Sequence, residues 1–83
     1  MTLERLQGAV KTVIGTKQTI KAVKNHEAKV VFVALDAENR VTRPVQDLCK
    51  EQNIEIVEIP LMDELGKACG IKVGAAMVAI LRD

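Results

Sequence analysis

In Gly15-Thr16-Lys17-Gln18-Thr19-Ile20-Lys21 the residue types and their spacing suit the grip of a polyanion. A glycine at the start of a helix has no Cβ, so another backbone can come close. The N–H groups of a first helical turn, together with the positive end of the dipole, favour phosphate. On a helix, Lys17, Lys21 and Lys24 fall at i, i+4 and i+7 and make one stripe beside the apolar face. Gln18 and Thr19 are expected at the tip, as polar groups that donate and accept. In such an arrangement lysine neutralises phosphates while the amide reads base edges. An ordinary helix with a solvated lysine face fits the same spacing. A nucleotide-binding loop does not: the segment is neither Gly-x-x-x-x-Gly-Lys-Ser/Thr nor Gly-x-Gly-x-x-Gly, and no strong strand precedes it.

A second segment, Glu64-Leu65-Gly66-Lys67-Ala68-Cys69-Gly70-Ile71-Lys72-Val73-Gly74, combines turn-forming glycines with aliphatics and lysines. Exposed Ile71 and Val73 beside Lys67 and Lys72 would cover an unstacked base; alternatively, both complete the core. Catalytic constellations are thin. The chain has no serine, and nothing in the spacing brings Cys49 or Cys69 to His26. The adjacent carboxylates Asp63-Glu64, and Asp36 with Glu38, read as a helix start or a charged loop.

Composition narrows the mode of binding. Phe32 is the only aromatic among 83 residues, so single-stranded bases have no aromatic platform on which to stack. Contacts would have to come from charge, backbone and aliphatic groups. The formal net charge of +1 conceals an asymmetry. Lys11, Lys17, Lys21, Lys24 and Lys29 face Glu27 alone in the first third. The middle holds Asp36, Glu38, Asp47, Glu51, Glu55, Glu58, Asp63 and Glu64 against Arg40, Arg43 and Lys50. A basic first third beside an acidic middle points to one polyanion-binding face. The two cysteines form no Cys-x-x-Cys pair, and with one histidine they supply neither a zinc site nor a redox motif; both read as small core residues. No cofactor is expected. No secretory leader or membrane span is legible, so a cytoplasmic setting and no membrane partner are expected.

The elements that would position these residues follow from periodicity. Leu3, Leu6, Val10 and Ile14 recur at helical spacing behind Thr2, a possible N-cap. A second helix runs from Thr16 to about Asn25, with Ile20 and Val23 inward. Val30 to Leu35 is an unbroken apolar run suited to a strand covered on both faces. Pro44 is tolerated in the first turn of a helix carrying Val41, Val45, Leu48 and Cys49, which ends near Asn53. Ile54 to Ile59 is a strand stopped by Pro60. Asp63 to Ala68 is a short helix, ended by Gly70 in a left-handed conformation. Residues 71–74 form a loop, and Ala75 to Leu81 a further central strand. A fourth short strand around Lys11 to Ile14 is possible but not demanded. Alternating helices and apolar strands imply helices on both faces of a small sheet.

Ile14-Gly15-Thr16-Lys17-Gln18-Thr19-Ile20-Lys21-Ala22-Val23, Ala28 to Asp36, Glu64 to Gly70 and Gly74 to Ile80 together resemble the kink-turn-binding ribosomal-protein superfamily, the archaeal seven-Ae and thirty-e type with its small bacterial relatives. The resemblance covers nearly the whole chain. It implies an α/β fold, a three-layer α/β/α sandwich around a mixed sheet of about four strands, with residues 1–83 as one RNA-binding domain. It also implies a structured-RNA partner, the kink-turn, in which tandem sheared G·A pairs and an asymmetric loop bend a duplex. The ribosome is one setting for such an RNA; no small-molecule substrate, metal or enzymatic activity is implied. Carried over by motif, one contact set is Gly15, Thr16, Lys17, Gln18 and Lys21 at the groove. The other is Ile71, Lys72, Val73 and Gly74 against a flipped-out nucleotide. The archaeal pattern has Asn-Glu where this chain has Lys17-Gln18. Gln18 accepts a hydrogen bond through its carbonyl oxygen but without charge assistance, and Lys17 adds attraction instead. A rival reading is a protein-interaction module of a ribonucleoprotein, working through the acidic middle.

Overall fold

The computed structural model describes residues 11–82. Among them, four strands and three helices alternate: β1 (Thr12–Ile14), α1 (Thr16–Lys24), β2 (Ala28–Ala34), α2 (Asn39–Gln52), β3 (Glu55–Ile59), α3 (Met62–Ala68) and β4 (Met77–Leu81). The sheet order is β1-β4-β2-β3, with β2 and β3 parallel and the other neighbours antiparallel. This is the expected mixed four-stranded sheet. The expected first helix over Leu3, Leu6 and Val10 lies outside the described residues. Its last member, Ile14, is instead in β1, paired with Val78.

The unbroken apolar runs become the two central strands because both of their faces are covered. Alternate residues of β2 enter two separate cores. Val31 and Val33 pack with Ala22, Val23, Val45, Cys49, Met77 and Ala79 under α1 and α2. Val30, Phe32 and Ala34 pack with Ile59, Leu65, Val78 and Ile80 on the α3 side. A period of two feeding two helical layers is the three-layer sandwich. Cys49 is fully buried, and desolvation pushes its thiol up to about 11; burial also raises Cys69. Both therefore behave as small apolar side chains.

All three helices end the same way. A residue at or just after the C-cap adopts a positive φ (His26, Asn53 and Gly70). Its N–H bonds three residues back, and the next N–H bonds five back: Glu27 to Ala22, Ile54 to Cys49 and Ile71 to Gly66. This paired closure satisfies the last carbonyls and turns the chain sharply. After the last two helices it also carries an apolar residue, Ile54 or Ile71, back onto a core. The start expected for the helix that carries Pro44 needs correction. The helix begins at Asn39, so Pro44 stands in its second turn. Its ring removes the N–H that would reach the Arg40 carbonyl, at an exposed residue where water can substitute.

Candidate nucleic-acid interface

Strand directions decide which loops meet. β1, β2 and β3 all end where β4 begins, so one end of the sheet, the tip, gathers four chain segments. Gly15 N–H donates to the Met77 carbonyl at 3.0 Å, and Ala34 N–H donates to that of Ala76 at 2.9 Å. The two segments singled out by residue type, far apart in sequence, are thereby joined through the first residue of β4.

On one side of the tip, Gly15 has φ 103 and ψ 163. Its carbonyl accepts the first α1 bond, from Thr19 N–H at 3.0 Å. The N–H groups of Thr16, Lys17 and Gln18 therefore have no acceptor within the helix, and no acidic side chain occupies its first turn. Lys17, Gln18 and Lys21 are exposed, and Gly15 and Thr16 half-buried. Thr19 corrects the sequence expectation: it is not a polar group at the tip but fully buried, in line with Ala22 and Val23 on the inward face of α1. Among the described residues its hydroxyl has no hydrogen-bond partner. Spacing held the signal, since Thr19 precedes Ala22 and Val23 by three and four residues.

On the other side, the loop from Ile71 to Gly74 folds back over α3. A Cβ on Gly66 would lie 2.0 Å from the Val73 carbonyl oxygen, so the missing side chain is what lets the loop lie there. Ala75 N–H bonds the Met62 carbonyl at 3.1 Å and closes the loop. The two sequence readings of its aliphatics are each half right. Ile71 is half-buried against the core, whereas Val73 is 70% exposed, with Lys72 and Gly74 also exposed. A shallow hollow of about 250 Å³ opens between loop and helix, lined by Asp63, Lys67, Ile71, Lys72 and Val73.

Sequence reasoning missed two further apolar residues here. Leu35, taken as the last residue of a buried strand, is 55% exposed just past β2, and Leu61 is 47% exposed just past β3. Neither carries a signal in sequence, because an apolar run does not announce where its sheet ends. The turns holding them are tied together: Leu35 N–H bonds the Ile59 carbonyl at 2.8 Å, and Asp36 Oδ1 accepts from Met62 N–H at 2.8 Å. Asp36 thus caps α3 from another loop, and Asp63 and Glu64 add charge of the favoured sign to that helix start. These carboxylates are structural. Among the described residues no group of three or more His, Cys, Asp or Glu could hold a metal ion, and no helix is long and apolar enough to cross a membrane.

A small α/β/α sandwich with a lysine-bearing helix start and an aliphatic loop joined at one sheet end defines the class. The chain belongs to the Ribosomal protein L7Ae/L30e/S12e/Gadd45 family, whose pattern it matches over residues 2–83, a family of non-enzymatic proteins. It is 49% identical over 82 residues to the RNA-binding protein YbxF of Geobacillus stearothermophilus, covering 99% of this chain and 100% of that one. To an RNA-binding protein of another Geobacillus species it is 46% identical over 82 residues, with 99% and 100% covered. Among solved structures, the Giardia lamblia 15.5kD RNA binding protein has the same fold, with a TM-score of 0.88 at 22% identity, covering 99% of this chain and 72% of that one.

Proposed function

We propose that this protein binds RNA and that its target is the kink-turn, recognised at the tip. The carrying observation is that Gly15's N–H bonds the carbonyl of Met77, the first residue of β4, so that the start of α1 and the loop of residues 71–74 that leads into β4 share one end of the sheet. The RNA-binding names of relatives at 46% and 49% identity support the coarser part of this reading. The finer part rests on the arrangement of the tip. Gly15, Thr16, Lys17, Gln18 and Lys21 form a groove-entering helix start, with three N–H groups lacking an intrahelical acceptor and two exposed lysines. Ile71, Lys72, Val73 and Gly74 form a wall in which the exposed Val73 offers apolar cover for a base turned out of its stack. A straight duplex presents no such base, so the protein gains more contact with the bent form and shifts the RNA towards it. A cytoplasmic setting and the ribosome as one source of the RNA belong to the same proposal.

The test is titration into a short kink-turn RNA at fixed salt, beside the same RNA with its sheared G·A pairs replaced by Watson–Crick pairs. Tight binding to the first and loss on the second is expected. Equal, weak binding to both would sink the kink-turn reading and leave non-specific attraction.

A further inference from the structure

The tip is a poor source of electrostatic attraction. Lys17, Lys67 and Lys72 are offset there by Asp36, Asp63 and Glu64, while Arg40 and Glu38 pair with each other at 2.7 Å. The protein's positive charge lies instead along one flank and at the opposite end of the sheet, the base. α1 runs from tip to base, and its Lys17-Lys21-Lys24 stripe spans roughly 10 Å of helix axis. Beside it, a shallow groove of about 240 Å³ between α1 and the edge strand β1 is lined by Val13, Gln18, Lys21, Ala22, Asn25 and Glu27. Lys11 lies two residues before Val13, and so on the same face of the strand, the α1 face. Its carbonyl accepts from Leu81 N–H at 3.0 Å, while Arg82 N–H bonds the Glu27 carbonyl at 2.7 Å and Arg82 Nε that of Ala28 at 3.4 Å. These bonds bring Lys11, Arg82 and the exposed Lys29 onto three neighbouring strands, a width of about 10 Å. Among the described residues that line this groove, Glu27 is the one carboxylate. Glu51, Glu55 and Glu58 lie on α2 and β3, towards the other edge of the sheet.

We propose that one duplex stem of the bound RNA runs down the α1–β1 flank, with Lys24, Lys11 and Lys29 neutralising its phosphates beyond the tip. A line of cations from tip to base matches a line of phosphates, and the acidic edge repels the same stem from the alternative course. This rests on the kink-turn reading and adds which way the RNA leaves the site.

The experiment compares two kink-turn RNAs, one with a long stem and one with that stem cut close to the bend; each stem is shortened in turn. Wild-type protein and the triple variant Lys11→Gln/Lys24→Gln/Lys29→Gln are titrated at 50 and 200 mM salt. For wild type, one long stem should add affinity, and that advantage should shrink roughly 20- to 40-fold between the two salts, as about three phosphate contacts require. The triple variant should keep its discrimination against the Watson–Crick control while binding long and short stems alike. No stem-length advantage in the wild type, or an unchanged advantage in the variant, overturns the flank. Loss of G·A discrimination by the wild type itself would bring down the kink-turn reading, a separate result.

Discussion

The helix start at Gly15 and the loop behind Gly66 meet at one end of the sheet, yet glycine meets a different requirement in each. At Gly15 there is room: among the described residues an added Cβ would find nothing within 4 Å. The obstacle is the backbone, since φ 103 with ψ 163 falls in a region that L side chains all but avoid. At Gly66, inside α3, the backbone is ordinary and the obstacle is space, because the Val73 carbonyl occupies the Cβ position. One glycine sets the direction in which α1 points, and the other sets how closely the loop sits. Charge divides along the same line. On the helix side Lys17 and Lys21 stand with no acidic residue in the first turn, whereas on the loop side Lys67 and Lys72 share the surface with Asp63 and Glu64 beside the exposed aliphatic Val73.

The sharpest break of that comparison is Gly66→Ala. Alanine favours a helix over glycine by about 1 kcal/mol, yet a 2.0 Å approach to a carbonyl must push the loop away. Overpacking against backbone should win, with a net loss of about 2–3 kcal/mol in urea unfolding and weaker RNA binding as Val73 moves. An unchanged unfolding midpoint would mean that the loop yields freely and does not shape the site. Next comes Gly15→Ala, expected to cost about 1–3 kcal/mol through conformation alone. Here D-alanine, placed at residue 15 by chemical ligation, separates the causes, because its preferred backbone angles mirror those of an L residue. It should restore most of the lost stability. If both enantiomers destabilise equally, the restriction at Gly15 is steric and the contrast with Gly66 collapses.

The same contrast shows what could be read without coordinates. Helices α1 and α2 were visible from three-and-four spacing, and β2 and β4 from apolar runs, because burial on a regular element imprints its period on the sequence; the short α3 was read from the glycine placed to end it. Both candidate segments were visible from glycine and lysine placement. That they meet was not, since it depends on β1 lying against β4. The three residues of β1 carry no strong signal, and Ile14 fits a helical spacing from Val10 as readily as it fits the strand. Pairing with a distant partner decides the matter, a term no local pattern contains. Gly66 likewise looked like a turn residue; only the folded-back loop reveals it as a contact surface.

Charge and apolar contact at the tip are separable by salt. Lys21→Ala should weaken RNA binding by about 1 kcal/mol at low salt and lower the salt slope by about one. Val73→Ala should weaken it by a similar amount but leave the slope unchanged, because desolvating a methyl group releases no counterion. Val73 is 70% exposed, so its truncation should move stability by less than about 0.5 kcal/mol, which keeps the binding readout clean. Parallel salt slopes for the two variants would end the division of labour between the two sides.

The smallest expected effect is a gain, and it falls on the helix side alone. Thr19 is fully buried in the first turns of α1 with its hydroxyl unpartnered, although its neighbours Ala22 and Val23 are apolar. A buried hydroxyl without a hydrogen bond forfeits its hydration and receives nothing in return. Valine has nearly the same shape and its side chain has no polar atom, so Thr19→Val should stabilise the protein by about 0.5–1 kcal/mol and leave kink-turn affinity where it was. Stability raised without any change in binding would confine Thr19 to holding α1 on the sheet. A loss of RNA affinity in the stabilised variant would instead show that the hydroxyl takes part in recognition, turning outward when RNA arrives. The helix side of the tip would then be the half that rearranges on binding.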